Sequence, residues 1–220
     1  GAFSEIYLTM VRTRENGPHG ISALLVDKNT PGLSFGNNEE KMGWKSQPTA
    51  QVIFDDCHVS SKKLLGEENK GFIYAMQGLD GGRHNSAAAA LGGAQTALNI
   101  AKKYIKERKA FGKSLSEFQG LQFKVADMEI AINSSRTFLR EAAWKLDNAK
   151  SDAGVYCAMA KKFVTDNSFN IANNSLQLLG GYGYLADYGI EKIVRDLRVH
   201  QILEGTNEIM QLIVARDSLK

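Results

Sequence analysis

GFIYAMQGLDGGRHNSAAAALGGAQTALNIAKKYIKER, residues 71–108, decides the fold class. Its apolar residues recur on a helical period. At 1.5 Å per residue the segment would reach roughly 55 Å. The DGG at 80–82 is a liability inside such a helix, because glycine loses more backbone freedom there than any other residue. It asks for a reason other than helix stability. Downstream the pattern stays helical. Ser116, with Gln119 three residues on, reads as a capping box opening a second long helix to about Lys150. Residues 151–180 read as a third, with Ser151 as cap and Gly180 as stop. GGYGYLADYG (180–189) reads as a loop, Asp187 as the cap of IEKIVRDLR, and a final helix begins near Thr206. Long antiparallel helices joined by short links make a bundle.

Before Gly66 the composition is different. The apolar runs are short: IYLTMVRT (6–13), ISALLVDK (21–28), GLSFG (32–36) and QVIFDDC (51–57). Turn-forming clusters such as RENGPHG and DKNTPG separate them, which is the signature of strands. So few strands make a poor sheet alone, and their edges would need partners. The chain opens at Gly1 without Met and reads directly into a strand. The expectation is a C-terminal piece of a longer protein. The expected fold is mainly α: a C-terminal four-helix up-and-down bundle (67–220) preceded by part of an antiparallel β domain (1–66).

Composition bounds the function. With 220 residues, 43% of them hydrophobic, the chain can bury one sizeable core, or a core and a smaller module. Charged residues at 23% and aromatics at 9% exclude disorder as the main state. The net charge of +3 is too small to argue for nucleic acid. Two cysteines, Cys57 and Cys157, exclude a disulfide framework and a thiolate metal cluster, and reduced intracellular thiols are the default. No run of about 18 purely apolar residues offers a membrane span. No targeting segment is visible, though one could lie upstream.

Several motifs fail their context. GYGYLA (181–186) has the G-x-G-x-x-A spacing but follows a helix instead of a strand. GKS at 112–114 resembles the end of a phosphate loop, but Glu107 stands where its first glycine belongs. His19, His58, His84 and His200 lack ligand spacing, so no metal site is expected. No G-x-S-x-G elbow is present. Asn133 and Asn173 fall in N-x-S sequons on expected helices and are taken as chance.

Three features resist a plain account. Arg108 and Phe111 in ERKAFGKSL sit at a helix-to-turn junction, where an arginine fork beside an exposed ring suits a phosphate and a heterocycle. A C-terminal helix cation with a packing Phe is the plain alternative. QLLGG (177–181) has two glycines at a helix end, allowing close backbone approach by a ligand, or simply a cap. HQILEGTNEIM (200–210) puts a carboxylate between apolar residues and a glycine just before a helix. Such a carboxylate is tunable, as proton abstraction requires, although a helix-start glutamate is the bland reading. Glu204 and Glu208, four apart on one helix face, are poorly placed as an acid/base pair.

Together these motifs resemble the acyl-CoA dehydrogenase family over essentially the whole chain. TPGLSFG, GW…QPTAQVIFDDCHVS and LGEENKGF look like the second half of its middle β domain. GGRHNSAAAALGGAQTAL, YIKERKAFGK, FQGLQFKVADM, LQLLGGYGYLADYGIEKIVRD and HQILEGTNEIM, in that order, look like its C-terminal helical domain. KMGWKSQPT and LDGGR are most similar to the branch of the family acting on isobutyryl-CoA in valine catabolism.

The resemblance implies FAD and α,β-dehydrogenation of an acyl-CoA thioester, with Glu204 as the base and hydride passing to flavin N5. Some members carry the base just before the arginine matching Arg83; here that position is Gly82, which cannot serve. The resemblance implies cofactor contacts at Arg108, Phe111, Phe118, Gln119 and at Gln177, Leu178, Leu179, Gly180 and Gly181, reaching FAD held by a neighbouring subunit. It implies contacts to the chain's own FAD at Thr206, Asn207 and Glu208. Acyl-CoA contacts are implied at Asp80, Gly81, Gly82, Arg83, Gly205 and Arg216, which would give the DGG its reason. Gln211 stands where many members have Arg and gets no role. A homodimer or homotetramer is implied, as is electron transfer to an electron-transferring flavoprotein. So is a place in the mitochondrial matrix if the source is eukaryotic, otherwise the cytoplasm. The flavin contacts on the family's earlier strands would precede Gly1, so the piece alone is expected to be inactive. An oxidase-like member and a non-enzymatic helical scaffold are the rival readings.

Overall fold

The computed structural model describes residues 3–14 and 17–220. Glu15 and Asn16 of the expected RENGPHG turn lie outside the described residues. The chain forms two compact units, and the division falls within one long helix, between Leu79 and Asp80.

In the first unit, β1 (Ile6–Arg12) and β2 (Ile21–Asp27) pair antiparallel, from Ile6 opposite Asp27 to Arg12 opposite Ile21. The two-residue β5 (Leu64–Leu65) adds to the far side of β2. β3 (Leu33–Phe35) and β4 (Val52–Phe54) form a separate antiparallel pair. Ala23 and Val26 of β2 are buried, whereas Ile6 and Leu8 of β1 stay more than half exposed. An edge strand that shows apolar residues at every second position offers a face that another layer would cover.

The second unit is helical. α1 (Gly71–Glu107), α2 (Gln119–Asp147) and α3 (Ala153–Leu179) are long; α4 (Ile190–Arg198) and α5 (Asn207–Ser218) are short. The expected mainly helical fold with a few antiparallel strands is what the described residues show. A small hairpin, β6 (Lys109–Ala110) and β7 (Lys113–Ser114), joins α1 to α2. The core is built on the alanine stripe of α1: Ala87, Ala90, Ala94, Ala97 and Ala101, all fully buried. Leu98 and Ile105 extend it against Met128, Ile132 and Leu139 of α2 and Val164 and Ile171 of α3. Small side chains on one stripe let neighbouring helices approach closely. Met42–Trp44, from the loop between β3 and β4, belong to this unit. The Trp44 N–H donates to Asp196 Oδ1 at 2.6 Å, and its ring meets His200 edge-on.

Several helix ends differ from the sequence expectation. The capping residue before α2 is Ser114, not Ser116: the Ser114 hydroxyl accepts the Ser116 N–H, and Glu117 Oε1 accepts the Ser114 N–H at 2.8 Å. That box closes a 3-10 turn, and α2 starts only at Gln119. α2 ends at Asp147, short of Lys150. Asp152, not Ser151, occupies the cap position of α3 but makes no cap bond, because its carboxylate is taken by Lys145 at 2.7 Å. Asp187 lies in a 3-10 turn, and Gly189 starts α4, since the reversal there needs a φ of +69°. Gly180 ends α3 as expected, and α5 begins next to Thr206 as expected, with the Thr206 hydroxyl as its cap.

Candidate functional site

Glu204 stands on the link between α4 and α5. A 3-10 turn (Val199–Gln201) follows α4, and the Ile202 and Leu203 N–H groups both donate to Val199 O. The next two residues are left-handed, Glu204 at φ +56° and Gly205 at φ +88°. Thr206 then accepts the Ile209 N–H and opens α5. A glutamate held left-handed is costly, and such strain concentrates at working sites. The Glu204 backbone N–H has no acceptor among the described residues.

The Glu204 carboxylate faces the DGG of α1. A Cβ at Gly82 would collide with Glu204 Oε2 and stand 3.0 Å from its Cδ, whereas one at Gly81 would meet open space. The helix liability at 80–82 thus makes room for the carboxylate. Beside it, Arg83 donates from Nη1 to Asp80 Oδ1 at 2.7 Å. Arg83 Nε is buried and has no partner among the described residues. A buried guanidinium N–H without an acceptor suits a ligand oxygen. Asp80 in turn abuts Gly154 and raises the Cys157 thiol pKa, second to burial itself. Gly82→Ala is expected to leave stability within about 1 kcal/mol, since only a flexible carboxylate must move and alanine favours the helix. It would swing Glu204 away. Urea unfolding reads the stability, and the structure of the variant reads the displaced carboxylate.

Behind Glu204 lies a buried polar network. Lys161 of α3 is fully buried and donates to Gly205 O and Asn207 Oδ1, each at 2.8 Å. Asn207 Nδ2 donates to Asp166 Oδ1 at 2.7 Å, and Gln201 Nε2 donates to the same oxygen at 2.7 Å. Burial pushes Asp166 up, but hydrogen bonds from Lys162, Gln201 and Asn207 outweigh it and leave the carboxyl below its usual value. Burial pushes Lys161 down to about 8, against the pull of Asp166, Glu208 and Glu204. A lysine lowered in the fold binds fewer protons there than in the unfolded chain between pH 8 and its usual 10.5. Stability from this group therefore rises with pH across that window. Wild type should gain on Lys161→Met between pH 7.5 and 10 when the two are unfolded in urea.

Asp166, Asn207, Thr206, Glu208 and Gln211 line a depression of about 220 Å³ with Lys162 and Arg198. The helix-start N–H and the Thr206 hydroxyl hold Glu208 below its usual value. The sequence reading missed Lys161, Lys162, Asp166, Arg198 and Gln201. Lys161 alone carried a signal, a cation on the buried alanine face of CAMAKKF.

A second depression, about 430 Å³, gathers Arg108 with Gln177–Gly181, Tyr104, Tyr182 and Leu185. The Arg108 guanidinium lies 5.7 Å from the Tyr182 ring centroid. Leu178 and Leu179 are in the core, so they offer backbone only, while a Cβ at Gly180 or Gly181 would meet nothing within 4 Å. An exposed arginine, a ring and two bare glycines fit a phosphate and a flat heterocycle. Phe111 and Gly112 form the left-handed tip of the β6–β7 hairpin, with φ of +52° and +84°. That turn leaves the Phe111 ring 94% exposed, edge-on to Phe118 at 6.3 Å. Gln119 is exposed in the first turn of α2. Arg216 is exposed in the last turn of α5, and no polar contact joins it to the rest among the described residues.

Residues 69–219 match the pattern described as acyl-CoA dehydrogenase, C-terminal domain, and residues 1–57 match the middle domain of the same enzymes. The chain belongs to the acyl-CoA dehydrogenase family. Acyl-CoA dehydrogenases of this family are FAD-dependent flavoproteins. The mitochondrial isobutyryl-CoA dehydrogenase of Dictyostelium discoideum is 53% identical over 221 residues, covering 100% of this chain and 53% of that protein. Butyryl-CoA dehydrogenase from Megasphaera elsdenii superposes with a TM-score of 0.97 at 39% identity, over 100% of this chain and 57% of that one. A chain from a structure described as the electron transferring flavoprotein of Acidaminococcus fermentans gives 0.97 at 42% identity, over 100% and 58%. The chain spans about half the length of the curated relatives it matches. No described helix is long and apolar enough to cross a membrane, and no described cluster of His, Cys, Asp and Glu could hold a metal ion.

Proposed function

We propose that this chain supplies the catalytic base and part of the flavin site of an FAD-dependent dehydrogenase acting on a short branched acyl-CoA, isobutyryl-CoA. The observation that carries the reading is the Glu204 carboxylate set against Gly82, where a Cβ would collide with it. FAD, when bound, supplies the hydride acceptor. Glu204 removes the α-proton of the acyl group. Its own unpartnered backbone N–H is a donor for the thioester oxygen as negative charge grows there. Arg83, next along α1 and tethered by Asp80, holds a second N–H without a partner among the described residues, and Gly81 leaves space for the acyl chain. The similarity to isobutyryl-CoA dehydrogenase supports the branched substrate and the mitochondrial matrix.

The Arg108 depression, with Gln177–Gly181, holds the pyrophosphate and adenine end of FAD bound by a second copy, alongside Phe111, Phe118 and Gln119. Thr206, Asn207 and Glu208 approach the chain's own FAD, and Gly205 and Arg216 the acyl-CoA. The exposed Phe111 ring, with Ile130 and Trp144 of α2 also more than half exposed, supports a homodimer or homotetramer. The likeness to a chain in an electron transferring flavoprotein structure supports that class of electron acceptor. The chain by itself, half the length of its relatives, is expected to show no turnover.

The test uses the full-length protein that carries this chain. Arg108→Ala should weaken FAD binding by about 10-fold or more, as loss of a charge-assisted phosphate contact does. Equilibrium dialysis of FAD would read it, with circular dichroism unchanged. Unaltered FAD affinity would remove Arg108 from the cofactor site.

A further inference from the structure

Lys161 is the largest fully buried side chain among the described residues, and the dehydrogenation chemistry proposed above gives it no task. Its helix neighbours Ala158, Ala160 and Val164 are fully buried core residues. An apolar residue of similar volume would serve that core as well or better, because a buried cation is expensive. What the ammonium does is visible in its partners. Both belong to the strained link, the carbonyl of Gly205 and the side chain of Asn207. One follows Glu204 directly, and the other opens α5 and is itself pinned by Asp166 and Thr165. The Gly205 carbonyl closes two consecutive left-handed residues, Glu204 and Gly205, and only the second is a glycine.

We propose that Lys161 is a positioning residue for Glu204, clamping the Gly205 carbonyl and the Asn207 amide so that the left-handed Glu204–Gly205 turn keeps the carboxylate against Gly82. This rests on the reading of Glu204 as the base. Without the clamp, Glu204 can relax towards ordinary negative φ, and its carboxylate leaves Gly82. A misplacement of about 1 Å is enough to cost up to roughly 100-fold in rate. Charge-assisted bonds from one ammonium to two converging acceptors are strong, and a shorter amide side chain cannot reach both.

The test compares Lys161→Met and Lys161→Gln with wild type in the full-length, FAD-loaded protein. Four readouts are needed: FAD content, the dissociation constant of isobutyryl-CoA, the single-turnover rate of flavin reduction with ordinary and α-deuterated isobutyryl-CoA, and amide exchange in residues 203–207 of substrate-free protein. The expected result is about 10- to 100-fold slower reduction with a full α-deuterium isotope effect, FAD content and dissociation constant within twofold, and faster exchange confined to 203–207. Reduction within twofold of wild type in either variant would overturn the proposal. So would a loss explained by weaker FAD or isobutyryl-CoA binding, or failure of both variants to fold, which would make Lys161 a residue of stability. Glu204→Gln, run in parallel, separates the two ideas. If it still reduces flavin at the wild-type rate, the base is misassigned. If it is inert while the Lys161 variants are fast, only the clamp fails.

Discussion

Glu204→Gln is expected to lower the rate of flavin reduction by isobutyryl-CoA about 10²- to 10⁴-fold, the range for removing a positioned general base. Glutamine is nearly isosteric, keeps the left-handed backbone as well as glutamate does, and still fits opposite Gly82. FAD content and the unfolding midpoint should therefore not move. Stopped-flow absorbance of the bound flavin is the measurement. A rate within tenfold of wild type would place the base elsewhere and leave the strain at Glu204 without a purpose.

The second large effect is on stability. Leu98→Ala should cost about 3 kcal/mol, within the 2–5 kcal/mol span for emptying a leucine site in a well-packed core. Leu98 is fully buried and packs in the cluster that joins α1 to α2 and α3. Ala94, Ala97 and Ala101 on either side of it are fully buried in the same cluster and too short to fill the space. Urea unfolding of the full-length protein reads the loss as a lower midpoint. A change below 1 kcal/mol would mean that α1 is not packed as described.

The two predictions draw on parts of the chain that were unequally legible in the sequence. The long helices were plain, because the alanine stripe of α1 repeats on the helical period for about four turns, from Ala87 to Ala101. The four strand runs before Gly66 also stand where the short apolar runs between turn clusters put them. The helix ends were harder. Whether Ser114 or Ser116 caps, and whether Asp152 uses its carboxylate on its own helix or on Lys145, depends on side-chain geometry and on a neighbour seven residues away. The hairpin at Phe111–Gly112 escaped because a bulky aromatic in a left-handed turn contradicts local preference. Glu204 could be singled out from its apolar flanks and the helix that follows, but not its partner. That Gly82 faces it across 122 positions of sequence is a tertiary fact. The Lys161 network was invisible for the same reason: three of its members, at 161, 166 and 207, meet only when α3 and α5 pack.

The central claim is that this chain carries the base of a flavin-dependent acyl-CoA dehydrogenase. Its most direct test is the visible spectrum of the full-length protein under anaerobic titration with isobutyryl-CoA, butyryl-CoA and isovaleryl-CoA. The account predicts bleaching of an oxidised flavin band, most complete with isobutyryl-CoA. A colourless protein that takes up no added FAD, or a flavin band that none of the three thioesters bleaches, would contradict it.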